Sequence, residues 1–163
     1  MKRSKINAGV PLIGPVNQFR LSTSGVREAL GLSSSDPNWK LSSAAVGAAL
    51  HDDIALPASQ LFPALLDRYD LRVLLYNGEY DFDCNIVGTL SWLADLKWSG
   101  SKALREAERK PWGGNGSRPV FGYSRNAKRL TQLTLVGSGH MVPMYVPEVA
   151  LQMITMLIKG DSF

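Results

Sequence analysis

The stretch "LRVLLYNGEYDF", Leu71 to Phe82, decides how this chain is read. Val73, Leu74, Leu75 and Tyr76 form a continuous apolar run that stops at Asn77-Gly78. A run without alternation fits a strand buried on both faces, as in a parallel sheet covered by helices. The next segment, "CNIVGTLSWLADLKW", places Ile86, Leu90, Leu93 and Leu96 at helical spacing and predicts a helix facing a core. The same order recurs near the C-terminus. "LTQLTLVGSGH" offers Leu133, Leu135 and Val136 as a second core strand ending at Gly137. "PEVALQMITMLIKG" follows, with Pro147 in a first helical turn, an apolar face of Ala150, Met153, Ile154, Leu157 and Ile158, and Gly160 as the cap. Strand, loop and helix in repeated succession predict an α/β fold with a mostly parallel sheet and flanking helices. In such sheets ligands sit beyond the carboxyl ends of the strands. Two loops stand there, residues 77–85 and 137–143.

Away from these two units the signals are weaker. "STSGVREALGL" predicts a short helix capped by Thr23 or Ser24 and stopped by Gly31, and "SSSDPN" around Pro37 a turn. "SSAAVGAALHDDIAL" is weakly helical because of Gly47. "PASQLFPALLDRY" predicts a helix with Leu61, Leu65 and Leu66 on one face, starting late or bent because of Pro63. "SGSKALREAERKPWGGNGSRP", Ser99 to Pro119, reads as an exposed excursion with one short helix, and "VFGYSR" as an edge strand.

A chain of 163 residues, 45% hydrophobic, suits one domain with a core. The net charge of +4 is spread along the sequence, and its two dense spots, "MKRSK" and "AERK", lack interleaved aromatics. No nucleic-acid partner is expected. Pro11 and Pro15 break the N-terminal apolar run, which makes a poor signal peptide, and no window reaches the roughly 18 apolar residues that a membrane span needs. Cys84, the single cysteine, has no partner for an internal disulfide and by itself reads as a small buried hydrophobe.

Chemistry concentrates in the two loops. Asp81 and His140 each follow one of the two best strands. A carboxylate accepting the Nδ1 proton of a histidine fixes its tautomer and stabilises the imidazolium formed when Nε2 takes a proton from a serine. Gly137 and Gly139 would let the second loop turn sharply. The plainer readings stay open: His140 as a turn residue, Asp81 as a helix N-cap, His51 as a surface residue. Glu79 and Asp83 add carboxylates nearby, but no second histidine lies at metal-ligand spacing.

Two longer motifs add to this. "VLLYNGEYDFDCNIVGTLSWLADLKWSG" resembles the segment around the catalytic aspartate of serine carboxypeptidases, especially the carboxypeptidase Y and plant type III branch. "GSGHMVPMYVPEVALQMI" resembles that family's segment around its catalytic histidine. The similarity runs more weakly through "LSTSGVREALGL" and "LFPALLD". The resemblance implies the C-terminal part of an α/β-hydrolase fold, with residues 1–163 as a single partial domain. It implies Asp81 as triad acid, His140 as triad base, Cys84 as a reactive thiol beside the substrate site, and Met141 as a lining of the pocket for the leaving C-terminal residue. Asp83 stands where the branch has an apolar residue on the wall of the side-chain pocket, and is expected to favour basic side chains there. Tyr145 stands where the family commonly has aspartate.

The sequence contains no G-x-S-x-G and no "GESYAG": Ser138 lies between Val136 and His140 at the flanking positions, and Ser117 between Asn115 and Pro119. The "WNGGPG" segment is absent as well. The resemblance implies the activity of a serine carboxypeptidase acting on peptide or protein C-termini, and the missing motifs then place the expected nucleophile on an N-terminal portion or a second chain. The chain would be a processing product or truncated gene product, inactive alone. A non-catalytic carboxypeptidase-like module and an acyltransferase on the same scaffold are the alternatives. No metal or organic cofactor is implied, since a triad with an oxyanion hole needs none. The resemblance further suggests a lysosomal, vacuolar or secreted setting.

Overall fold

A computed structural model describes residues 22–40, 42–54, 56–69, 71–114 and 119–163. The basic N-terminal stretch with Pro11 and Pro15, and Ser117, lie outside these residues. The chain falls into two compact units, Met1–Leu56 and Pro57–Phe163.

In the first unit, α1 (Ser24–Ala29) starts after Thr23 and ends as expected at Gly31, whose φ of 70° lies in the left-handed region. Arg27 binds the turn that follows, donating to the carbonyls of Ser33 at 2.6 Å and Asp36 at 2.8 Å. The weakly helical stretch forms α2 (Ala44–Ala49), capped by the Ser43 hydroxyl, and α3 (His51–Ile54). None of the described residues of this unit is buried.

The second unit is a sheet between two helical layers. A 3-10 turn (Ala58–Leu61) leads into α4 (Phe62–Arg68), with Pro63 in its first turn, where a proline's missing N–H costs nothing. Then come β1 (Val73–Gly78), α5 (Ile86–Asp95), α6 (Ser101–Glu106), β2 (Lys110–Trp112), β3 (Gly122–Ala127), β4 (Leu130–Leu135), α7 (Val142–Tyr145) and α8 (Pro147–Lys159). The strand order is β1-β4-β3-β2. The expected parallel pairing joins β1 to β4, with Tyr76 beside Leu133, while β3 and β2 extend the sheet antiparallel, so the sheet is mixed. Helices α4, α5 and α6, through Leu66, Leu93 and Leu104, and the link between α5 and α6, through Leu96 and Trp98, cover one face against Ala127 and Leu130. Helix α8 covers the other through Ala150 and Met153 against Leu133 and Leu135.

Three expectations need correction. "VFGYSR" is no edge: β3 is flanked by β4 and β2, and the excursion supplies β2, whose Trp112 packs into the α8-side core against Phe121 and Phe163. Leu61 is exposed, because only Leu66 of the α4 stretch turns fully toward the sheet. Strand β1 is not buried on both faces. Its Tyr76 is 44% exposed, and among the described residues β1 has a pairing partner on one edge only. On the same side the α8 face is half covered: Ala150 and Met153 are buried, while Leu151, Ile154 and Ile158 are exposed. Together Leu74, Tyr76, Pro147, Leu151 and Ile154 border an apolar groove of about 440 Å³. Among the described residues no helix is long and apolar enough to cross a membrane.

Candidate active site

Because β1 and β4 run parallel and adjacent, their carboxyl ends deliver two loops to one place. The pairing register carries Gly78 to Leu135, and the chains stay together beyond it. Glu79 N–H donates to the Leu135 carbonyl at 2.8 Å, and Tyr80 N–H to the Ser138 carbonyl at 2.9 Å. A β-carbon on Gly78 would lie 2.3 Å from the Gly139 carbonyl oxygen and 2.5 Å from that of Ser138, so the approach needs glycine. Gly137 turns the second loop with φ 72°.

This crossing brings Asp81 and His140 together. The Nδ1–H of His140 donates to Asp81 Oδ2 at 3.0 Å. The other carboxylate oxygen accepts the backbone N–H groups of Asp83 and Cys84, both at 3.0 Å. Burial by itself would raise the Asp81 carboxyl. The His140 hydrogen bond and the two backbone N–H donors outweigh it and hold the group below its ordinary value. The Asp81 side chain is 5% exposed and that of His140 56% exposed, so the acid is fixed and the ring reaches solvent.

Asp81 is therefore not the N-cap of α5. Asn85 is, its side chain accepting from Gly88 N–H at 2.8 Å. The loop between them is braced from below by Asn77, whose side-chain amide donates to the Cys84 carbonyl at 2.8 Å and to Thr89 Oγ1 at 3.1 Å. The roles of Asn77 and Gly78 were not read from the sequence, where both only end a strand; the Asn-Gly pair is the same signal in either case. Cys84 is exposed rather than a buried hydrophobe. Asp83 is exposed on the same loop, and Met141, half-buried, directly follows the histidine at the start of α7. Tyr145 places its ring beside Gly139. His51, in the first unit, is exposed, with its Nδ1 3.1 Å from Asp52 Oδ1.

Asp81, Cys84 and His140 each offer a donor atom within 4.8 Å of the others, the one described grouping that could hold a metal ion. A metal on Nδ1 would have to displace the Asp81 hydrogen bond. Glu79 does not join this grouping; it accepts the Gly137 N–H at 3.4 Å and ties the loops. The arrangement suits proton transfer: a buried acid orients a partly exposed imidazole whose Nε2 is left for a third group.

Residues 13–160 match the sequence profile of serine carboxypeptidases. The chain belongs to the serine carboxypeptidase family. It is 35% identical over 159 residues to serine carboxypeptidase S10 family member 2 of Dictyostelium discoideum, covering 94% of this chain and 27% of that one. It is 44% identical over 97 residues to carboxypeptidase Y of Candida albicans, covering 60% of this chain and 17% of that one. Among solved structures it resembles Kex1Δp, a prohormone-processing carboxypeptidase from Saccharomyces cerevisiae. The TM-score is 0.70 at 29% identity, over 86% of this chain and 30% of that one. The fold is accordingly part of an α/β-hydrolase of this family, and the chain spans about a quarter of the length of the first of these relatives.

Proposed function

We propose that this chain supplies the acid and the base of a serine carboxypeptidase whose nucleophilic serine lies on an N-terminal portion or second chain. The observation that carries this reading is the 3.0 Å contact of His140 with an Asp81 already held by two backbone donors. In the proposed cycle Nε2 of His140 takes the serine proton as the hydroxyl attacks the C-terminal peptide bond. It then passes that proton to the leaving amine and repeats the exchange with water to release the acyl group. Asp81 stays ionised throughout. Cys84 and Met141 flank the reacting groups, and residues 1–163 act as one partial α/β-hydrolase domain, a reading supported by the family match over residues 13–160. The setting that goes with this activity is lysosomal, vacuolar or secreted.

Intact-mass analysis after a fluorophosphonate probe tests the division of labour. The chain alone is expected to gain no adduct, and the complete enzyme one adduct on the serine-bearing portion. An adduct on a serine of this chain would overturn the proposal.

Asp83 gives the pocket its own expected preference. A carboxylate beside the penultimate side chain favours a cation, so the complete enzyme should cleave substrates with penultimate Arg faster, relative to Phe, than its Asp83→Leu variant does. An unchanged Arg/Phe ratio of kcat/KM would remove Asp83 from the pocket.

A further inference from the structure

On the face of the sheet opposite α8, β3 and β4 place Arg125 directly across from Gln132. Both share the face of Ala127 and Leu130, which is roofed by α5 and α6. Between sheet and helices lies a small cavity of about 50 Å³. Among the described residues it is lined by Leu90, Leu93, Ala94 and Leu104 together with three polar side chains, Arg105, Arg125 and Gln132. Gln132 is 2% exposed. Arg125 Nε is buried and has no hydrogen-bond partner among the described residues. Arg105 makes one long contact, 3.5 Å to the Ala94 carbonyl. No carboxylate is among the described lining residues.

Two guanidinium groups thus face one space with neither in an ion pair among the described residues. Arginine stays charged at any pH of interest, and for the half-buried Arg125 a charge without a counter-charge is costly, while Arg105 is exposed at the rim. Apolar walls strengthen whatever electrostatic contact is made inside. The guanidinium fork matches a planar or tetrahedral oxyanion, and the amide of Gln132, one of whose two N–H groups donates to Thr134 Oγ1 at 3.2 Å, has the other as a neutral donor. The volume admits a single small head group and is far below the several hundred Å³ of a nucleotide-sized site.

We infer that this cavity is a binding site for one small oxyanion, a carboxylate or a phosphate group, held by Arg105 and Arg125 with Gln132 beneath. It is separate from the Asp81–His140 loops and does not depend on the function proposed for them.

Calorimetric titration of the whole chain with inorganic phosphate in chloride buffer, at constant ionic strength, tests this. Saturable binding is expected, weakened at least about tenfold by Arg125→Gln and also weakened by Arg105→Gln, whose exposed position makes it safe for folding. Acetate then identifies the source. Competition by acetate at similar concentration points to a carboxylate side chain as the natural occupant; phosphate binding that acetate does not displace points to a free or ester phosphate. Absence of saturable binding by either anion, or affinity unchanged in both arginine variants, would overturn the inference.

Discussion

His140→Ala is expected to lower kcat/KM of the complete carboxypeptidase by between about 10⁴- and 10⁶-fold, and Asp81→Asn by on the order of 10⁴-fold, with little change in fold. The two losses arise differently. Without the imidazole there is no acceptor for the serine proton. In the Asp81→Asn variant the acceptor remains, but an amide can donate to Nδ1 and so stabilise the tautomer whose Nε2 carries the proton. The double variant should therefore be no worse than His140→Ala alone, since groups that act as one unit are not additive. Asp81 also links the site to pH. Its carboxyl is held below the ordinary value, so it binds fewer protons folded than unfolded in acid. Its contribution to stability is fully present above the unfolded value of about 3.9 and is lost as pH falls through the lowered folded value. Melting curves of wild type and Asp81→Asn should accordingly converge in that window and stay apart at neutral pH. Rates within tenfold of wild type for His140→Ala would remove it as the base.

What the sequence made legible is what short-range physics decides. The run Val73–Tyr76, the strand into Gly137 and the face of α8 with its Gly160 cap each announce an element within one window, and the structure forms all three. Asp81 and His140 stood out as candidates because each sits one loop beyond such a strand, while their roles rested on the family resemblance. The rest depended on pairing that no window contains. Trp112 looked exposed beside Gly113-Gly114, yet antiparallel pairing of β2 with β3 buries it. The same pairing turned the expected edge strand into an interior one. Strand β1 failed in the opposite sense. Its apolar run reads as buried on both faces, whereas among the described residues Tyr76 and the groove beside α8 are open to solvent.

The closest joint in the site predicts the largest effect on stability. A β-carbon at Gly78 would stand 2.3 Å from the Gly139 carbonyl oxygen, 2.5 Å from the Ser138 carbonyl oxygen and 2.8 Å from the Ser138 carbonyl carbon. All three are backbone atoms, so no side-chain rotamer change relieves the contact; the loop itself must move. Overpacking of this kind costs about 3 kcal/mol or more. For a domain of this size that corresponds to a fall in Tm of about 6–12 °C. The loop that would move carries His140 and is bound by the Tyr80 N–H to Ser138 hydrogen bond, so displacement near 1 Å should also cost on the order of 10²-fold in kcat/KM. Gly88→Ala provides the contrast within the same chain. Its added β-carbon would meet nothing nearer than Asn85 Oδ1 at 3.5 Å, an ordinary contact, and it lies in the first turn of α5, where alanine is the better helix former. Gly88→Ala is therefore expected to melt at or slightly above the wild-type temperature with activity retained. If Gly78→Ala melts with it, the two loops are not held by this crossing, and the placement of His140 over Asp81 must rest on the 3.0 Å hydrogen bond alone.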